Sequence, residues 1–147
     1  EFRKEKENEI KRNKLMKLAS LCKLKILPQF VFRNSHPAIF GVKVEGGVAK
    51  RGIELINQDG EEVAKIKALQ SEGKGIEEAK KEQEVAISLP GITFDRQLKD
   101  VEFLYSNIGE AQYREFKANK ALLSQEEIKV LQEIAQIKRK KKATWGV

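Results

Sequence analysis

Apolar and polar residues alternate along the middle of the chain. The alternation is clearest over residues 38–45, 84–89 and 101–105, which are separated by segments that contain glycine. A period of two places successive side chains on opposite faces of a strand, so one face of each segment is predicted to point inward. The predicted inward residues are Phe40, Val42, Val44, Val85, Ile87, Leu89, Val101, Phe103 and Tyr105. Short strands at this spacing favour a small antiparallel barrel or sandwich.

The start of the chain follows a helical pattern instead. Leu15, Leu18, Ala19 and Cys22 recur at the spacing of one helix face, and no glycine or proline interrupts them. We therefore predict a connecting helix over residues 1–24. A disordered basic tail is the alternative, because the first half of this segment has no continuous apolar stripe.

Two helices are predicted at the end of the chain. Ser124 and Glu127 have the spacing of a capping box, in which each side chain bonds the backbone N–H of the other residue at a helix start. A shorter helix is predicted to begin near Gly109. The longer helix carries two apolar rows, namely Ile128, Leu131 and Ala135, and Val130, Ile134 and Ile137. One row suffices for packing on a barrel, so the second row either adds to that packing or receives a partner protein.

The predicted fold class is mainly β with α. A small antiparallel β-barrel at residues 25–107 is preceded by the connecting helix and followed by two C-terminal helices at residues 108–147. The 147 residues fit one such domain with its appendages. The chain begins with Glu1 rather than Met, and we expect it to be a segment of a longer protein.

The net charge of +7 is concentrated at the two ends of the chain. Residues 1–25 carry nine basic and four acidic side chains, and residues 108–147 carry nine and five. Residues 26–107 carry eleven basic and thirteen acidic side chains. A protein that binds nucleic acid only by neutralising phosphates spreads Lys and Arg over its binding face. We therefore expect any nucleic acid to be held by a shaped site in the middle of the chain or by the basic ends.

The sequence contains no pattern typical of catalysis or metal binding. Gly73-Lys74-Gly75 lacks the upstream glycine and the following Ser or Thr of a phosphate-binding loop, so we interpret it as a flexible loop. His36 has no Cys or His cluster to complete a metal site, and it is poorly placed to activate the adjacent Ser35. No stretch has the length of apolar sequence that spans a membrane. The single Cys22 suits a reducing cytoplasm, and we predict a cytoplasmic binding module without enzymatic activity.

The middle of the chain is similar to a known family. The resemblance is carried by Phe32–Ser35, Ala38–Val42, Gly47–Leu55 and Ala79–Ile87, and by the final Trp145-Gly146-Val147. These segments resemble domain IV of translation initiation factor five-B, the archaeal and eukaryotic counterpart of bacterial initiation factor two. The carboxyl end is similar to that of archaeal members. In the family a glycine usually stands at the place of Glu82.

The resemblance implies a barrel domain of a translation factor that binds the aminoacylated acceptor end of initiator methionyl-tRNA. The terminal helices are implied to dock the C-terminal tail of initiation factor one-A while the ribosomal subunits join. The parent factor is implied to be a ribosome-dependent GTPase whose GTP- and Mg-binding domain lies outside this segment, so no cofactor is expected here. We expect a monomer that binds this tRNA, this factor and the ribosome, and no membrane.

The resemblance also implies the site residues. The acceptor-end pocket is carried over to Gly41, Val42, Lys74, Glu84, Val85 and Ala86, with Arg33 as a further candidate for phosphate contact. Gly41 admits close approach of a ligand, Glu84 can accept the free amino group, and Lys74 or Arg33 can meet a phosphate. Core packing is the alternative for the two valines, and a solvated strand face is the alternative for Glu84.

The candidate partner-binding residues of the helices are Ile128, Leu131, Ile134, Ile137, Lys138 and Arg139. Packing of the fold is an equal alternative for them. Two other functions stay open, a protein-interaction barrel with no tRNA pocket and a generic basic RNA binder associated with the ribosome. Strong salt dependence without preference for an aminoacyl end would favour the basic RNA binder.

Overall fold

The computed structural model describes residues 6–7, 9–12 and 21–147, and residues 6–7 and 9–12 are helical. The strands are β1 Cys22–Arg33, β2 Ala38–Gly47, β3 Ala49–Lys50, β4 Glu54–Asn57, β5 Glu62–Lys65, β6 Ala68–Ser71, β7 Lys74–Ile76, β8 Glu78–Ala79, β9 Glu84–Leu89 and β10 Phe103–Ser106. Helix α1 Phe94–Gln97 lies between β9 and β10. Helices α2 Glu110–Ala118 and α3 Gln125–Lys141 follow β10, with a 3-10 turn at Lys120–Leu122 between them.

Strand β1 begins inside the segment that was predicted to be helical. Cys22 and Leu24 pair with β2, so the predicted boundary at residue 24 is wrong. The two residues alternate with lysines, and this period of two was hidden because Cys22 also completes a helical stripe. The remaining residues of that stripe, Leu15, Leu18 and Ala19, lie outside the described residues.

Eight strands form one antiparallel sheet in the order β5-β4-β10-β1-β2-β9-β6-β7, and β3 pairs separately with β8. Only Ile66 and Lys67 separate β5 at one edge from β6 near the other edge. The Ile66 amide donates to the Ile53 carbonyl at 2.9 Å, and the Lys67 amide donates to the Ser88 carbonyl at 2.9 Å. The segment between β5 and β6 therefore bonds to both sides of the sheet, which curls into the predicted antiparallel barrel fold.

Alternate residues of the strands fill the barrel interior. The predicted inward residues of β2 and β9 are all buried, as predicted. In β10 the prediction is wrong, because Leu104 belongs to the interior cluster whereas Phe103 and Tyr105 pack in a second cluster. Apolar residues on both faces hid the phase of this strand, as they do wherever a strand is covered on both sides.

Helices α2 and α3 cover one outer face of the barrel, which we call the covered face. Its buried cluster consists of Leu21, Ile56, Tyr105, Ile108, Tyr113, Phe116, Leu123, Val130, Leu131, Ile134, Ala135, Ile137 and Trp145. Helix α3 approaches β2 closely at Gly46, where a Cβ atom would lie 2.8 Å from Cγ2 of Val130. Lys23 of β1 reaches the same helix, with its Nζ 3.0 Å from Oε2 of Glu133.

The start of α3 is capped as predicted. The Glu127 amide donates to Ser124 Oγ at 3.2 Å, and the Ser124 amide donates to Glu127 Oε1 at 2.9 Å. The same carboxylate oxygen lies 3.0 Å from Nη2 of Arg12, which joins the helical residues near the start of the chain to α3. Helix α2 follows Gly109, also as predicted. Across residues 6–7, 9–12 and 21–147, none of the helices has the length and apolar character needed to cross a membrane.

Candidate functional site

A row of small and flexible residues crosses the outer face of the barrel away from α3. Leu27 of β1 pairs with Gly41 of β2, Gly41 pairs with Ala86 of β9, and Ala86 pairs with Gln70 of β6. Residues directly opposite each other in an antiparallel ladder project to the same face. Because Gly41 and Ala86 have almost no side chain, the middle of this row forms a depression in the barrel surface.

Two aromatic residues of β1 form one side of the depression. The pairing of β1 with β2 passes from Leu27 directly to Val31, so the residues between them form a bulge. The bulge brings Phe30 over Gly41, where a Cβ atom on the glycine would lie 2.9 Å from Cβ of Phe30. Phe30 is 46% exposed and Phe32 is 67% exposed. Bulges commonly re-aim side chains in this way next to functional sites.

The β6–β7 hairpin and the start of β9 form the opposite side. Glu72 and Gly73 connect the two strands of the hairpin, and Glu84 is the first residue of β9. The space between the aromatic side and the hairpin is a cleft of about 490 Å³. Its lining residues are Leu27, Phe30, Phe32, Ile39, Gly41, Gln70, Glu72, Gly73, Glu84, Val85 and Ala86. Clefts of roughly 300–1,000 Å³ with mostly apolar walls and a few polar groups are typical small-ligand sites.

Four of the predicted pocket residues line this cleft, namely Gly41, Glu84, Val85 and Ala86. Val42 is different, because it points into the barrel interior and is completely buried there. Its predicted role as a pocket wall is therefore corrected to core packing.

The two predicted phosphate contacts lie beside the cleft and do not line it. Arg33 follows Phe32 at the end of β1 and is exposed, and its Nε donates to the Ser35 carbonyl at 2.9 Å. Lys74 is the exposed first residue of β7. The interpretation of residues 73–75 as a flexible loop is wrong, because Lys74 and Gly75 pair with β6.

The aromatic side of the cleft and the hairpin carboxylate Glu72 were not predicted from the sequence. Phe30, Val31 and Phe32 are consecutive apolar residues in a strand, so at least one must face outward, and all three are exposed. This run was the available signal for the cleft. Nothing in the sequence indicated that Glu72 and Glu84 line the same space, because that depends on the pairing of β6 with β9.

The apolar residues predicted to bind a partner are used by the fold. Leu131, Ile134 and Ile137 are buried in the cluster of the covered face, and the half-buried Ile128 packs against it. In this arrangement a partner can reach only Ile128 among them. Their burial supports the packing alternative.

Two of the basic residues at the end of α3 also have intramolecular partners. Lys138 Nζ donates to Oδ1 of Asn107, and burial lowers the pKa of this lysine. Arg139 Nε donates to the Trp145 carbonyl at 2.9 Å, and its guanidinium lies over the Tyr113 ring. Lys138 therefore ties α3 to the segment before α2, and Arg139 holds the chain terminus and α2 against α3.

Of the other three lysines in the basic run, one forms an ion pair and two are exposed to solvent. Lys142 Nζ lies 3.0 Å from Oε1 of Glu110, and this contact lowers the pKa of the Glu110 carboxyl. Lys140 and Lys141 are exposed. They are the members of the run that stay fully accessible to a partner.

The curled antiparallel sheet with its outer cleft and its covering helices has the architecture of a translation-factor β-barrel domain. Residues 21–105 match the family model described as elongation factor Tu domain 4, which is more than half of the chain. The chain therefore belongs to the elongation factor Tu domain 4 family of translation-factor domains.

Curated archaeal proteins give the more particular match. A probable translation initiation factor IF-2 of Methanopyrus kandleri is 42% identical over 138 residues, which cover 93% of this chain and 23% of that protein. A second one, from Methanothrix thermoacetophila, is 39% identical over 147 residues, which cover 99% of this chain and 24% of that protein. The chain thus spans about a quarter of the length of these relatives.

A solved structure agrees with this match. The crystal structure of GDP-bound aIF5B from Aeropyrum pernix superposes with a TM-score of 0.87 and 34% identity, covering 97% of this chain and 24% of that chain. The resemblance to domain IV of the archaeal factor is confirmed, and so is the predicted fold class. The chain corresponds to a translation initiation factor domain that is distinct from the GTPase domain.

Proposed function

We propose that this domain holds the aminoacylated acceptor end of initiator methionyl-tRNA in the outer cleft. The observation that carries the proposal is a cleft of about 490 Å³ that combines two exposed phenylalanines with an apolar base and a carboxylate at its edge. An acceptor end is single-stranded, so its recognition requires stacking surfaces and an enclosed site for the amino-acid side chain. Methionine is unbranched and apolar, and it adapts its shape to apolar clefts.

Each part of the ligand has a partner in the cleft. The side chain of the methionyl group enters over Gly41 and Ala86, and the terminal adenine stacks on Phe32. Glu84 at the start of β9 accepts the free amino group. Base stacking on an aromatic side chain contributes about 1–3 kcal/mol per base, so Phe32 supplies a substantial part of the affinity. Arg33 and Lys74 flank the cleft and contact phosphates of the acceptor strand.

We further propose that the parent factor acts in ribosomal subunit joining as a GTPase, with GTP and Mg bound in an upstream domain and no catalytic group in this one. The domain acts there as a monomer in the cytoplasm. The tail of initiation factor one-A docks on the terminal helices, where exposed Lys140 and Lys141 support contact with an acidic segment. Replacing both lysines with glutamate is expected to weaken that complex, whereas an unchanged affinity would remove the basic run from the docking surface.

The acceptor-end proposal is tested with a stable minimal ligand, an adenosine that carries methionine through an amide at its 3′ position. Amide NMR signals of Gly41, Glu84 and Ala86 are expected to shift with this ligand and to shift much less with the adenosine alone. Equal shifts for both compounds, or shifts confined to the basic ends, would contradict the proposal.

A matched pair of variants locates the binding site. Ala86→Leu fills the base of the cleft from its outer face, whereas Ala121→Leu adds the same atoms at an exposed position outside it. We expect Ala86→Leu to abolish the methionine-dependent shifts and Ala121→Leu to retain them. Retained shifts in Ala86→Leu would move the site elsewhere on the domain.

A further inference from the structure

The charge of the cleft is opposite to the charge of the chain. The chain has a net charge of +7, yet Glu72 and Glu84 are the charged residues among those that line the cleft. A site built for phosphate would place lysine or arginine in the lining. A cleft with apolar walls and two carboxylates fits an apolar group that carries a positive charge.

The pairing of β6 with β9 brings the two carboxylates to one cleft. Strands β6 and β9 pair Ala68 with Ser88 and Gln70 with Ala86. Glu72 follows β6 and Glu84 begins β9, and both residues line the cleft beside Gln70 and Ala86.

The nearest basic residue on the neighbouring strand is engaged elsewhere. Lys43 pairs with Glu84 across β2 and β9, but its Nζ lies 3.4 Å from Oε2 of Glu82, outside the cleft. A cleft lined by Glu72 and Glu84 therefore suits a ligand that brings a positive charge.

The backbone at Glu72 carries a local cost. Glu72 and Gly73 both have positive φ, 52° and 79°, between the paired Ser71 and Lys74. Two successive left-handed residues form the type I′ turn of a two-residue hairpin, for which Asn, Asp and Gly are preferred. Turn geometry therefore does not account for a glutamate here. Strained non-glycine residues of this kind concentrate at ligand sites.

We propose that Glu72, together with Glu84, makes this cleft selective for an aminoacyl group whose amino group is free and protonated. This inference rests on the proposed acceptor-end function and names the feature of the ligand that the site selects. A protonated amine donates up to three hydrogen bonds and compensates both carboxylates, with the phenylalanine rings nearby to favour a cation. An N-acylated amine is neutral and bulkier, and it would bring no positive charge to the two carboxylates that line the cleft.

The test compares three ligands by isothermal titration at pH 6.5, below the usual α-amino pKa of about 7.7–8.0. They are the 3′-methionylamido adenosine, its N-acetyl derivative, and 3′-amino-3′-deoxyadenosine without the methionyl group. The free-amine methionyl compound is expected to bind about tenfold more tightly than its N-acetyl derivative, as a charge-assisted contact would give. Equal affinity of the two methionyl compounds, both above the third ligand, would overturn the selectivity and leave the acceptor-end function standing. Equal affinity of all three would contradict the acceptor-end function itself.

Variants at residue 72 separate recognition from folding. Glu72→Gln is expected to reduce the tenfold preference to about threefold or less, whereas Glu115→Gln, an equal charge change on α2 outside the cleft, should leave it unchanged. Glu72→Asn places a residue preferred in the turn, so it should retain or raise the unfolding temperature while losing the preference. If Glu72→Asn or Glu72→Gln kept the full preference for the free amine, the role of Glu72 would be refuted.

Discussion

The outside of the barrel carries two apolar regions, of which one is buried under helices and the other is an open cleft. On the covered face, Gly46 of β2 lets α3 approach until Val130 touches the strand, and a large cluster is buried. At the cleft, Gly41 of the same strand is covered only by Phe30, and the space beside that ring stays open. A glycine on an outer strand face thus serves close packing in one place and an accessible cavity in the other. The difference is that helix α3 packs over Gly46, whereas the space beside Phe30 at Gly41 stays open.

Backbone strain follows the same division. In the described part of the chain, the non-glycine residues with positive φ are His36, Glu72 and Glu82. They lie in turns next to β1, β2, β6 and β9, the strands that carry the cleft, and none belongs to the buried cluster of the covered face. The turn of Glu82 also contacts α3, because Lys81 Nζ lies 2.7 Å from Oε1 of Glu126. Strain of about 1–3 kcal/mol per residue is tolerated where the surrounding structure holds it and function requires it. The turns near the cleft therefore reduce the stability of the fold, whereas the buried cluster of the covered face increases it.

One matched pair of substitutions tests the contrast directly. Phe116→Ala on the covered face is expected to lower the free energy of unfolding by about 3–5 kcal/mol, because a completely buried ring leaves a cavity. Phe32→Ala at the cleft is expected to change it by less than about 0.5 kcal/mol, because that ring is largely exposed. Urea unfolding followed by circular dichroism and by the single Trp145, which lies in the covered face, measures both effects.

The effects on ligand affinity should be opposite to the effects on stability, with the larger loss of affinity in Phe32→Ala. Phe32→Ala is expected to lose affinity for the methionyl adenosine ligand while it remains folded. A large loss of stability in Phe32→Ala would mean that the cleft side is part of the core, and the contrast between the two regions would fail.

High pH should lower the free energy of unfolding through the buried thiol of Cys22 at the start of β1. Burial raises the pKa of the Cys22 thiol from 9.0 to about 12, although the contact with Ser106 lowers it slightly. The folded state then keeps a proton that the unfolded state releases, so stability is complete below pH 9 and falls as the pH rises towards 12. We expect a loss of about 2–3 kcal/mol by pH 11, or roughly 1.4 kcal/mol per pH unit.

Urea unfolding between pH 8 and pH 11 measures this loss, and Cys22→Ala is the control because it has no titrating thiol. Burial also raises the pKa of Tyr105, assisted by the neighbouring Glu133, so a smaller decline should persist in the control above pH 10. Parallel curves for the two proteins would show that Cys22 is not sealed from solvent.

The two glycines of β2 give a third test. A Cβ atom at Gly46 would meet Val130 at 2.8 Å, and one at Gly41 would meet Phe30 at 2.9 Å. Gly46→Ala is expected to cost about 1–2 kcal/mol, because α3 is fixed by its whole buried face and cannot move away freely. Gly41→Ala should cost less than about 1 kcal/mol, because the half-exposed Phe30 can move. Similar costs at both positions would mean that Phe30 is as firmly held as the helix.

Part of the barrel was predictable because apolar and polar residues alternate along some of its strands. The alternation over residues 38–45 and 84–89 identified the inward residues of β2 and β9, and the Ser124–Glu127 spacing identified the start of α3. The prediction failed at β1 and β10 for a shared reason. Cys22 fits two periodicities, and Phe103 and Tyr105 are apolar because the helices cover the outer face of their strand. Local patterns do not reveal which distant element covers a strand.

The cleft was only partly predictable. Gly41, Glu84, Val85 and Ala86 came from the resemblance to the family, and the periodicity alone favoured core packing for Val85. The apolar run that contains Phe30 signalled an outward-facing side chain, but its place over Gly41 depends on a bulge, and the place of Glu72 depends on the pairing of β6 with β9. Sites assembled from strand pairing depend on contacts that a linear pattern does not encode.

The smallest effect that we expect concerns the turn before the cleft. Glu82 has a φ of 74°, which lies in the left-handed region that favours glycine. Its amide donates to the Val44 carbonyl at 2.8 Å, so the turn cannot relax without losing this bond. Glu82→Gly removes a left-handed side-chain cost of about 1–2 kcal/mol, but it adds chain entropy of about 0.5–1 kcal/mol to the unfolded state.

The net result for Glu82→Gly is a gain of about 0.5 kcal/mol, measurable as a small rise in the urea midpoint. Glu82→Ala is the control, because it removes the exposed ion pair with Lys43 and keeps the backbone cost. The glycine variant should therefore exceed the alanine variant in stability. If alanine proved equal to glycine, the turn would carry no strain, and the division between a relaxed covered face and a strained open one would rest on Glu72 and His36 alone.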